Sequence, residues 1–118
     1  MTLKSKLDFR YLETMAAGDP KTIKTLLEGL RSELRDDLPR ARLLLQAKDW
    51  AGLERFCHHF KSTLSFSGHA ALVAANESLW KIAKQQGKSS TDTDALLKKM
   101  EQYANLVTQE VNRLLKNS

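Results

Sequence analysis

Residues 49–68 read Asp-Trp-Ala-Gly-Leu-Glu-Arg-Phe-Cys-His-His-Phe-Lys-Ser-Thr-Leu-Ser-Phe-Ser-Gly. On a helical wheel stepped from His58 by about 100° per residue, Leu53, Phe56, Phe60 and Leu64 gather on the far side, flanked by Cys57 and Thr63. That side is the predicted core face. Around His58 itself lie Ala51, Glu54, Arg55, Lys61, Ser62 and Ser65, which are small or charged. The pattern is that of an amphipathic helix, and it places His58 at the centre of a solvent-facing strip. His59 lies a quarter turn round, nearer the boundary. Asp49 is a good N-cap for a helix predicted over 50–66, and Ser67-Gly68 reads as a short break after it.

Helical spacing extends outward from this segment in both directions. Upstream, Ile23, Leu26, Leu27, Leu30, Leu34, Leu38, Ala41 and Leu45 recur in steps of three and four, which predicts a long amphipathic helix. Pro39 falls inside that stripe, removing one backbone donor and crowding the preceding turn, so one bent helix with a kink near 35–38 is expected. A short first helix is predicted over 7–17, with Phe9, Leu12 and Met15 on one side; Gly18 ends it, and Asp19-Pro20 start the next. Downstream, a helix over 69–86 carries Leu72, Val73, Asn76, Leu79, Ile82 and Ala83 in phase, with Gly87 as its stop. A polar loop over 88–93 leads to a last helix, capped by Thr91 or Thr93, that shows Leu96, Leu97, Met100, Tyr103, Ala104, Val107, Val111 and Leu114. Strand-like alternation and β-branched runs are absent. Four long amphipathic helices with short connections bury their stripes against one another. The predicted fold is therefore all-α: an antiparallel up-down four-helix bundle with a short extra N-terminal helix.

The chain has 118 residues, a length for one domain that buries roughly two-thirds of the surface its unfolded form exposes. With Cys57 as its single cysteine, it has no intrachain disulfide framework, which fits a reducing compartment. No apolar run approaches the roughly 18 residues of a membrane span. The N-terminus lacks the apolar stretch of a secretory signal. A cytoplasmic protein that does not engage membrane is expected. The net charge of +5 comes from 19 basic and 14 acidic residues, but the basic residues are dispersed among carboxylates and aromatics are few. That argues against nucleic acid and for attraction to an acidic protein partner.

Cys57, His58 and His59 are the possible metal ligands of the third helix. Consecutive helical residues diverge by about 100° and cannot converge on one ion, so no metal site is expected. The strip around His58 has a different logic. A neutral imidazole is a nucleophile near its ordinary pKa of about 6.5. Lys61, one turn along the same face, can offset the roughly two negative charges of an incoming phosphoryl group. Ser62 and Ser65 add hydroxyl donors. A merely solvated helix face would carry the same residue types, so spacing alone leaves both readings open.

The segment His58-His59-Phe60-Lys61-Ser62-Thr63, with Gly68 ten and Leu72 fourteen residues after His58, resembles the histidine-containing phosphotransfer (HPt) domain. That family's motif is His-x-x-Lys-Gly, followed by Gly and Leu at those distances. Leu7-Asp8, Gly18-Asp19 and Asp49-Trp50 match its upstream pattern. The resemblance covers roughly 7–116 of a single domain over 1–118. It implies that His58 accepts the phosphoryl group, that Lys61 stabilises its charge, and that Gly68 permits close packing near the end of the helix. Ala51, Arg55, Ser62, Ser65 and Gly68 would form the partner-binding surface. Ser62 stands where most members carry Gly, a departure that bears on partner choice. The implied partners are receiver domains, one of a hybrid sensor kinase and one of a response regulator. The chain would then be a monomeric, stand-alone carrier rather than an enzyme. It would hold no cofactor of its own, and magnesium would belong to the receiver. The alternative is a non-catalytic helical adaptor that binds a receiver or kinase domain without taking phosphate.

Overall fold

The computed structural model describes residues 7–88 and 92–116, which form six α-helices and no strands. They are α1 (Arg10–Met15), α2 (Pro20–Ser32), α3 (Leu38–Gln46), α4 (Trp50–Leu64), α5 (Ala70–Lys84) and α6 (Thr93–Lys116). A π-helical segment, Glu33–Asp37, joins α2 to α3 without a break.

That segment is the structure's answer to Pro39. A regular helix would drive the proline ring against the carbonyl of residue 35 and leave that carbonyl without its donor. Instead the Leu38 N–H reaches back five residues to the Glu33 carbonyl. One widened turn absorbs the conflict, as π-bulges do. The expected kink at 35–38 is thus a π-helical turn that begins two residues earlier. The apolar phase continues through it: Ile23, Leu27, Leu30, Leu34, Leu38 and Ala41 are all buried, while Leu26 and Leu45 are half-buried.

The other helix ends follow from their caps. Asp8 accepts the Arg10 N–H at 3.0 Å, so α1 begins later than position 7. Ala17 and Gly18 take left-handed backbone, and the Gly18 N–H bonds the Glu13 carbonyl, so α1 also ends earlier than position 17. Within it Ala16, four residues after Leu12, takes the inward position. Met15 is consequently 56% exposed rather than part of the core. The Asp19 carboxylate accepts the Thr22 N–H at 3.0 Å and starts α2; the Asp49 carboxylate accepts from Gly52 at 2.9 Å and starts α4. Helix α4 stops two residues short of 66, where Phe66 and Ser67 turn back onto the Thr63 and Leu64 carbonyls. Helix α5 ends at Lys84, because Gln86 and Gly87 adopt positive φ and the Gly87 N–H bonds Ile82. The cap of α6 is Asp92, which accepts from Ala95 at 3.1 Å. Thr93 is the first helical residue, and Thr91 lies outside the described residues.

In the packing, α1 lies on α2, α2 on α6, α6 on α5, α5 on α4 and α4 on α3. Their buried side chains form one apolar cluster. Arg42 fastens α3 to α6 through Asp94 and Glu101, at 2.8 and 2.6 Å. Among the described residues no helix is long and apolar enough to cross a membrane.

Candidate functional site

The rotation of α4 decides what it shows to water. Leu53, Phe60 and Leu64 are essentially inaccessible, Phe56 is 9% exposed, and the Phe56 and Phe60 rings stack with centroids 5.0 Å apart. Removing that much aromatic and aliphatic surface from water fixes the helix phase. The opposite face then carries Ala51, Arg55, His58, Lys61, Ser62 and Ser65, every one of them exposed. Among the described residues no hydrogen bond or ion pair holds the His58 ring or the Lys61 ammonium. The imidazole is open to an approaching group, with an ammonium one turn along the helix.

The remaining residues of the predicted site are placed differently. Ser65 Oγ donates to the Lys61 carbonyl at 3.0 Å. Its one hydroxyl proton is therefore committed to its own helix, and it offers a ligand only lone pairs. Ser62 keeps its hydroxyl on the strip. Gly68 lies past the end of α4, half-buried, with φ +65° and the Asp8 backbone directly over it. A Cβ there would collide with the Asp8 carbonyl. The close packing at this glycine is thus with the chain's own N-terminal segment.

Two flanks bound the strip. On the α2 side, His59 is exposed and lies close enough to Glu33 to interact electrostatically, while the Thr63 hydroxyl donates to the Glu33 carboxylate. Burial raises the Glu33 pKa above the ordinary carboxylate value; Asp37 adds to the rise and His59 opposes it. On the α5 side, the buried carboxamide of Asn76 donates to the Cys57 carbonyl at 3.0 Å. Sequence reading placed Asn76 on the apolar stripe of its helix. An amide in such a stripe signals a buried partner but does not name it. The Glu33–Thr63 contact had no sequence signal beyond the polar residue at each end.

Cys57 is buried, and burial pushes its thiol up to about 12, which keeps it protonated and unreactive. No group of three His, Cys, Asp or Glu side chains that could hold a metal ion occurs among the described residues. His58 and His59, successive on one helix, point in different directions.

No family model, no curated protein and no solved structure matches the chain. The functional reading therefore rests on the residues themselves.

What the arrangement can do is limited and specific. An exposed neutral imidazole has a lone pair to offer an electrophile. The neighbouring ammonium favours an anionic one. Ala51, Ser62 and Ser65 are small and leave room beside the ring for a large partner, while Glu54 and Arg55 flank it one turn before.

Proposed function

We propose that the chain is a phosphoryl carrier of the histidine-containing phosphotransfer kind, with His58 as acceptor. The observation that carries this reading is the exposed His58 imidazole at the centre of the polar face of α4, with Lys61 one turn along and small or charged side chains around it. The helix-on-helix packing is compatible with the antiparallel four-helix bundle of that family.

A receiver domain bearing phospho-aspartate docks on this face. A ring nitrogen of neutral His58 attacks phosphorus in line; the N–P bond forms as the P–O bond to the aspartate breaks, and the carboxylate leaves with the electron pair. The ring keeps the proton on its other nitrogen. Lys61 offsets the charge that arrives with the phosphoryl group. Such transfers need mostly positioning and charge stabilisation, and a magnesium ion would be held by the receiver. A second receiver, that of a response regulator, takes the group onto its own aspartate by the reverse steps, and the setting is the cytoplasm.

The test is incubation with a phosphorylated receiver and measurement of acid-labile, alkali-stable label. Wild type and His59→Gln are expected to take up label, and His58→Gln to take up none. Label persisting in His58→Gln but lost in His59→Gln would reassign the acceptor. A stable complex that never transfers label would make the chain an adaptor.

A further inference from the structure

Asn76 is 3% exposed at the α4–α5 interface, surrounded by an apolar stripe. Its Nδ2 donates to the Cys57 carbonyl at 3.0 Å, and its Oδ1 is buried with no donor among the described residues. Turning the amide over would set Oδ1 against that carbonyl, acceptor against acceptor, so the bond fixes its orientation. Half of the amide is thus desolvated without compensation. Burying an orphan acceptor is unfavourable, and an apolar side chain here would strand no partner, because the Cys57 carbonyl lies inside α4 and has a helical donor of its own. Stability alone does not account for Asn76.

Its position supplies the other account. The Cys57 carbonyl belongs to the peptide that leads into His58. In an α-helix it also accepts the N–H four residues on, which is that of Lys61. The turn fastened to α5 is therefore the one carrying both the acceptor ring and the ammonium. Apolar packing holds helices together but is non-directional; a hydrogen bond has a narrow range of distance and angle. At this point the Asn76 bond resists rotation and sliding of α4 where leucine–leucine contacts would tolerate them.

We propose that Asn76 is a positioning residue, which refines the placement of the His58–Lys61 turn for in-line attack within the phase that apolar burial of α4 sets. The inference rests on the reading of His58 as phosphoryl acceptor. A misplacement of about 1 Å at a reacting centre can cost on the order of a hundredfold in rate, so loss of one tether of several is expected to cost about tenfold.

The experiment compares wild type, Asn76→Leu and Asn76→Ala in single-turnover transfer from a phosphorylated receiver, as a function of receiver concentration, with thermal unfolding of each. The expected result is a maximal rate about tenfold lower in both variants, half-saturation within about twofold of wild type, and an unfolding temperature for Asn76→Leu at or above that of wild type. Maximal rates within about twofold of wild type would overturn the proposal. So would failure of both variants to fold, which would make Asn76 a structural necessity. If wild type takes up no label, the reading of His58 fails first, and that result is seen before any variant is compared.

Discussion

His58 and Phe60 stand two residues apart on α4 and do opposite work. Phe60 is 1% exposed, locked between Phe56 and the rest of the core, and Phe60→Ala is expected to lower stability by about 3–5 kcal/mol through lost burial and the cavity left behind. His58 is exposed, so His58→Ala is expected to change stability by less than about 0.5 kcal/mol while abolishing label uptake. Urea unfolding of the two variants checks this; equal losses would mean that the polar face of α4 is structural. Gly68 is a third kind of residue. Its backbone is left-handed and the Asp8 carbonyl occupies the place of a Cβ. Gly68→Ala should cost about 1–3 kcal/mol from the backbone alone, and more from displacement of the N-terminal segment, readable as a lower urea midpoint.

Among the elements, that N-terminal segment has its own pH signature. The Arg10 side chain, and then its backbone N–H, hold the Asp8 carboxyl down at about 2. A depressed carboxylate contributes stability that is fully present above its unfolded pKa, about 3.9, and is lost as pH falls through the folded value. Wild type should therefore weaken between about pH 4 and pH 2, and Asp8→Asn should lack that part of the loss. Urea midpoints of both proteins across this range check it; parallel curves would contradict it. The long elements were legible in the sequence because apolar residues at steps of three and four must face a common core. The π-helical turn was not. Pro39 announces a missing donor, but a kink and a widened turn relieve the same crowding. Met15 was misplaced because steps of three and four both lead inward from Leu12, and packing selected Ala16. The polar face of α4 was readable from its wheel. The bond from Asn76 was hidden because its partner is a backbone carbonyl of another helix. The commitment of Ser65 to its own helix turns on a side-chain torsion that no spacing records.

For the whole molecule, the charge of +5 comes from basic residues dispersed along the sequence, but exposed Arg55 and Lys61 share the face of His58, against one half-buried carboxylate, Glu54. On the proposed reading of His58, encounter with an acidic receiver pocket should then be steered electrostatically. Its association rate is expected to fall as salt shortens the screening length from about 10 Å at 0.1 M to about 3 Å at 1 M, with little change in dissociation. Stopped-flow mixing at several salt concentrations reads this directly, and a flat association rate would contradict it. Whether one outward-facing imidazole carries the phosphoryl group is decided by locating the group. Wild-type protein is mixed with a phosphorylated receiver, digested at alkaline pH and sequenced by fragmentation mass spectrometry. A single phosphoryl group, on His58, is expected. A group on His59 or His69, or a donor phospho-aspartate that decays no faster with the protein than without it, would contradict it.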